Sequence, residues 1–182
     1  MTLPHADAAA PDPEPARDDL APVALREPAN QVCRRAVAYW LTIALLTTAV
    51  EVAVAVTIYV LVPSRPWWAT TLLVLLVVGN LAYSALMPRV RYGVHRWEVS
   101  PEAIHTRTGW VTTETRIAPL NRVQTVDSQQ GPVMRLFRLF SITVTTASAA
   151  GPITIEGLDQ QEARELVARL TAITAASEGD AT

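Results

Sequence analysis

The sequence predicts an α+β protein with membrane helices: two long apolar helices, then a small antiparallel β unit closed by one amphipathic helix. Three observations predict it. Ala36–Val62 and Trp67–Met87 are apolar runs of 27 and 21 residues with one charge between them, Glu51. From Val90 to about Ile155 the chain breaks into short β-prone segments of period two. Ala163, Leu166, Val167, Leu170 and Ile173 then return to helical spacing on one stripe.

The two apolar runs are the first element. A bilayer core of about 30 Å takes ~20 apolar residues in a helix, so each run is long enough to cross. Pro63-Ser64-Arg65-Pro66 joins them, and so short a link permits only an antiparallel pair. Core helices of soluble proteins seldom stay apolar on every face for this length. Tyr39, Trp40, Tyr59, Trp67, Trp68 and Tyr83 lie near the ends of the runs, where amphipathic rings meet the membrane interface. Arg34, Arg35, Arg89, Arg91 and Arg96 flank the open ends, against Arg65 alone in the loop. All 15 basic residues are Arg, and with abundant Ala and Pro this composition suggests a high-GC bacterial genome. The expectation is therefore a multi-pass protein of the bacterial inner membrane, with both termini cytoplasmic by the arginine placement.

Two residues interrupt the hairpin. Glu51 and Asn80 both fall roughly 17–20 Å from the loop end at ~1.5 Å per residue, so they are expected to meet as a membrane polar pair. A clasp between helices fits them better than a proton or ion path, which needs more polar stations. Cys33, just before the first run, is the one cysteine; it excludes an internal disulfide and reads as an ordinary juxtamembrane thiol.

Residues 1–31 precede the hairpin, which occupies 32–88. The first thirty hold six prolines and six acids against Arg17 and Arg26, and they lack an apolar period. Such a stretch cannot bury enough surface to offset its ordering entropy, so a disordered tail is expected, with His5 merely solvated.

The β unit, 89–175, begins after Pro88. Trp97 and Val99 alternate with Arg96 and Glu98; Ile104, Thr106 and Thr108 alternate with His105 and Arg107. Thr108-Gly109 is a turn signal. Val111, Thr113, Thr115 and Ile117 share the next strand's apolar face, and Pro119 ends it. Val123–Asp127, Ile142–Thr146 and Ile153–Ile155 complete the strands. Gly131–Phe140 breaks the alternation: Val133, Leu136, Phe137 and Phe140 fall on one helical face, Pro132 suits a first turn, and Arg135 and Arg138 project. Asp159 and Glu162 form a capping-box-like pair at the start of the last helix. A polar tail, 176–182, is expected to fray.

This order resembles the bacterial membrane-flanked pleckstrin-homology-like (PH-like) proteins of the YdbS type. The similarity covers roughly Val32 to Ile173. Its most telling parts are LNRVQTVD, QGPVMRLFRLFSITV and the GLD before the last helix. The resemblance implies a PH-like roll of two antiparallel sheets closed by the C-terminal helix. Arg138 stands where that family usually places a small residue.

No catalytic set is legible. His95 and His105 have no third ligand in sequence and read as lone surface or edge histidines. There is no nucleophile elbow and no Gly-rich phosphate loop, so no enzyme activity, cofactor or metal is expected. Basic residues do not interleave with aromatics as on a nucleic-acid platform, and the net charge of −2 gives no general pull on polyanions. Charge is distributed unevenly, however. Arg89–Arg138 holds eight arginines against four acids; Leu139–Thr182 holds two against six. The first reading is a non-enzymatic membrane protein that presents its cytoplasmic domain for protein interaction or scaffolding. The partner would be another membrane protein or a second copy. The alternative is recognition of anionic membrane lipid by Arg91, Arg96, Arg122, Arg135 and Arg138, each worth about 1 kcal/mol close to the surface.

Overall fold

The fold is that of a computed structural model, which describes residues 27–64, 66–147 and 151–179. Most of the expected acidic tail, His5 and Arg65 lie outside the described residues. Helix α1 spans Arg35–Leu61 and α2 spans Trp67–Val94, packed antiparallel. Tyr59 and Thr70 bond near the loop at 2.8 Å, and Thr48 bonds Ser84 at 3.1 Å further along. Away from this seam the apolar side chains stand uncovered. Val50, Leu72, Leu75 and Leu86 are each at least 60 % exposed. Such a surface suits hydrocarbon, not water.

α2 does not end before Pro88, as the proline suggests, but runs on to Val94 with Pro88 buried inside it. Proline removes one backbone bond but cannot stop a helix whose next turn is held from outside. Here the next turns are held: Arg91 lies over the Trp40 ring at 4.6 Å, and His95 meets the same ring edge-on at 5.0 Å.

The domain is two antiparallel sheets. Strands β1 (Asn30–Gln31), β2 (Arg96–Val99), β3 (Ala103–Gly109) and β4 (Thr113–Pro119) form the first in that order. β5 (Val123–Gln129), β6 (Leu139–Thr146) and β7 (Ile153–Asp159) form the second. The short helix α3 (Pro132–Leu136) joins β5 to β6, and α4 (Gln160–Gly179) follows β7. Ile104, Leu120, Ile142, Val144, Ile155 and Leu158 fill the space between the sheets, and Ala163, Leu166 and Leu170 of α4 close it. Each Leu or Ile so buried contributes about 1.5–3 kcal/mol. The expected cap is present: Asp159 Oδ1 accepts from the Gln161 amide at 3.0 Å, and Glu162 reaches back to the Asp159 amide at 3.1 Å. α4 continues to Gly179, four residues into the stretch expected to fray.

Three local expectations are corrected. First, β1 joins the sheet. Asn30 and Gln31 pair with Trp97 and Arg96, and Glu27 pairs with Arg107, so the chain is ordered before residue 32. Second, β4 turns its expected face outward. Ala118 lies opposite the buried Ile104, and antiparallel partners share a face, so Ile117 and its row point away from the core. Val111 is in the turn before the strand, 74 % exposed. Third, α3 stops early. Arg138 adopts φ 53, and this left-handed residue ends the helical period before Phe140. Leu139 consequently falls back on Met134, both buried, while Leu136 points outward at 77 % exposure.

β7 carries the joint to the hairpin. The register slips between Phe140–Leu158 and Ser141–Glu156, leaving Gly157 as the extra residue of a bulge. Gly157 has φ +80, and its carbonyl accepts the Cys33 amide at 2.9 Å. A Cβ there would stand 2.8 Å from that of Ala36. Only glycine lets the start of α1 come this close.

Candidate membrane-facing site

The hairpin and domain meet around the first turns of α1 and the last turns of α2. Ala36 and Trp40 of α1 pack with Val32, Met134 and Leu139, so α3 sits beside the start of α1. Tyr39 and Phe137 make an edge-to-face contact at 6.4 Å. On the other side the β3–β4 turn reaches α2: Trp110 meets Tyr83 edge-to-face at 5.2 Å.

Between these contacts lies a cavity of about 470 Å³, lined in part by Arg91, Thr106, Trp110, Glu114, Arg116 and Glu156. Its charges are already matched. Arg91 pairs with Glu156 at 2.8 Å, and Arg116 with Glu114 at 2.7 Å. Arg116 also donates to the Pro152 carbonyl at 3.0 Å. The cavity is therefore no ready anion site.

His95 lies behind this wall, 3 % exposed. Its Nδ1 is 2.9 Å from the Arg91 carbonyl, which can only accept, so Nδ1 carries the proton. Nε2 is then free to accept from Arg91 Nε at 3.3 Å. A second proton would face the guanidinium. Burial first, and the Arg91 charge second, lower the His95 pKa to about 4. His105 is also buried, at 5 %. Neither histidine is the surface or edge residue expected, since β3 lies between β2 and β4 and His95 is closed in by Trp40 and Arg91.

The five arginines do not form one patch. Arg91 is committed to Glu156 and Trp40, and Arg96 lies 3.9 Å from Glu27. Arg122 stands before β5 and α3 follows it, roughly 20 Å away at ~3.3 Å per residue. Arg135 and Arg138 remain together, exposed and without an ion pair among the described residues. The membrane pair also changes partners. Asn80 Oδ1 accepts from Thr48 at 3.5 Å, and its amide donates to the Leu76 carbonyl at 3.1 Å. Glu51, three residues past Thr48, is exposed and makes no bond to Asn80 among the described residues. The Thr48 hydroxyl and the Leu76 carbonyl satisfy Asn80 instead.

Comparison with known proteins agrees with this architecture. Residues 36–173 match the family described as Bacterial PH domain. The chain belongs to that family. It is also 28 % identical over 156 residues to the UPF0699 transmembrane protein YdbS of Bacillus subtilis (strain 168), covering 81 % of this chain and 96 % of that protein. No solved structure matches significantly. The chain is thus a bacterial PH-domain membrane protein of YdbS type. Within it, sequence reading missed the Trp110–Tyr83 contact and the part played by His95. One signal was available for the first: Trp110 and Val111 put two large apolar residues where a turn is normally polar.

Proposed function

We propose that the protein is a non-enzymatic membrane module. Its hairpin holds the PH-like domain at the cytoplasmic face of the inner membrane, and α3 engages anionic lipid headgroups through Arg135 and Arg138. The observation that carries this reading is the Tyr39–Phe137 contact, which ties α3 to the first turns of a membrane helix. Twenty residues back from Leu61 is Thr42, so Tyr39 lies at headgroup depth, about 5 Å outside the hydrocarbon at ~1.5 Å per residue. Two exposed guanidinium groups held there would gain about 1 kcal/mol each from an anionic surface. The reading also places both termini in the cytoplasm, supported by the arginines at the open ends of the hairpin.

The test uses the full chain in nanodiscs. Amide hydrogen exchange over residues 132–139 is compared in phosphatidylcholine alone and with a quarter phosphatidylglycerol. Slower exchange with the anionic lipid, lost in the Arg135→Glu/Arg138→Glu variant, is expected. Equal exchange in both bilayers overturns the headgroup reading.

A second reading, assembly with another membrane protein or a second copy, is favoured by Glu51. A carboxyl on the outer face of a membrane helix is expensive unless something pairs with it. Glu51→Leu should then lower the assembled fraction seen by single-molecule photobleaching in native membranes; an unchanged fraction removes this reading.

A further inference from the structure

We propose that the domain is seated in the bilayer by two apolar contacts of its own: the β3–β4 turn, through Trp110 and Val111, and α3, through Leu136. The partner is the lipid of the leaflet nearest the domain, at the boundary between headgroups and acyl chains.

The depth of the turn follows from helix geometry. Counting ~20 residues of hydrocarbon from Trp67 ends at Leu86, which leaves Tyr83 about 5 Å inside the apolar layer. The helix seam puts it deeper: Thr48 bonds Ser84, and Thr48 lies six residues inside Thr42, the corresponding limit on α1, about 9 Å within the apolar layer. Starting the count at the loop end is the placement least favourable to insertion. Putting Trp67 and Trp68 among headgroups carries Tyr83 deeper still. Trp110 is in ring contact with Tyr83, so the turn enters the leaflet with it.

The exposed chemistry matches the depth at each point, within the apolar layer for the turn and at the headgroup level of Tyr39 for α3. Val111 is 74 % exposed and Leu136 77 %, the most exposed apolar residues of the domain. Each stands beside an aromatic contact to a membrane helix, Trp110 on Tyr83 and Phe137 on Tyr39. Arg135 and Arg138 flank Leu136, so α3 carries charge at headgroup level and an apolar side chain beyond it. This is the arrangement of an interfacial element. Gly109, at φ +123, makes the turn possible: a Cβ there would stand 1.9 Å from the Thr112 carbonyl oxygen. With one contact tied to α2 and the other to α1, the domain is held at both helices and does not swing on its linkers.

The inference shares α3 with the headgroup reading but needs no anionic lipid. The experiment separates the two. Spin labels are placed in the full chain at Val111→Cys, Leu136→Cys and the exposed β5 control Gln124→Cys, each with Cys33→Ser. The protein is reconstituted in nanodiscs of phosphatidylcholine alone and of phosphatidylcholine with phosphatidylglycerol. Collisions with oxygen and with an aqueous nickel chelate are compared by power saturation. The expected result in both bilayers is preferential access of oxygen at 111 and 136, with the chelate winning at 124. Chelate access at 111 or 136 overturns the two-point seat, as does exclusion of both reagents, which would place protein over the site. Insertion seen only with phosphatidylglycerol overturns the charge-independent seat while leaving the headgroup reading intact.

Discussion

The two ends of the helical hairpin are built differently. At the domain end Ala36, Trp40 and Ala44 of α1 are buried, Pro88 is tolerated inside α2, and Arg91, His95 and Glu156 form a closed polar wall. Toward the loop the same helices expose Val60 at 56 %, Leu61 at 74 % and Trp67 at 80 %, and Tyr59 bonds Thr70 across them. Helix packing in a bilayer gains little from apolar burial, because lipid is as apolar as leucine. A two-helix hairpin with a thin seam therefore owes its fixed geometry to whatever clasps its end. In this protein the clasp is the PH-like domain, and stability should be concentrated there.

The largest test of that asymmetry is Gly157→Val. The substitution needs both a positive φ and space that Ala36 occupies, so a loss of about 3 kcal/mol or more is expected in chemical denaturation of the detergent-solubilised protein. Gly79→Ala, where nothing lies within 4 Å of the added carbon, should be neutral or stabilising by up to about 1 kcal/mol. Similar losses at both glycines would end the contrast.

Acid should act on the same end. The folded pKa of His95, about 4, lies below its ordinary 6.5, so the unfolded chain takes the proton first. Stability should rise from about pH 4 to about pH 6.5 and be lost as pH falls back through that window. A plot of melting temperature against pH tests this, with His95→Phe as the control. If the variant keeps the full acid slope, some other group is responsible.

A smaller effect of opposite sign is expected in α3. Arg138 holds φ 53, a conformation costing a non-glycine residue ~1–2 kcal/mol. Arg138→Gly should raise stability by about 1 kcal/mol while weakening any headgroup contact. An unfolding midpoint at or below that of the parent protein would show that the arginine is repaid by contacts elsewhere.

Least is expected along the seam and on the loop side. Thr48→Val removes the bonds to Ser84 and Asn80 and should cost ~0.6 kcal/mol, the average for such bonds in bilayers. Glu51→Leu should cost nothing within one chain, since no partner among the described residues is lost. A large destabilisation by Glu51→Leu, measured in dilute detergent where chains are separate, would mean that the carboxyl is paired within its own hairpin.

Much of this was legible in the amino-acid order alone. Length and apolarity defined both helices within a residue or two at three of their four ends, and period-two alternation placed the strands. The Asp159–Glu162 cap marked the start of α4, because capping is a local event between neighbours in sequence. What failed did so for long-range reasons. Pro88 does not end α2, because Trp40, some fifty residues earlier in the chain, holds the turns that follow. The outward face of β4 was decided by its register with Ile104, and the early stop of α3 goes with the packing of Met134 and Leu139 against Ala36 and Trp40 of α1. The histidines and arginines changed character most. Whether a side chain is free or committed depends on what the fold brings against it, as Glu156 does for Arg91 and Arg91 for His95. Periodicity along one segment determines which residues can share a face. Only packing between segments decides which face is covered, and by what.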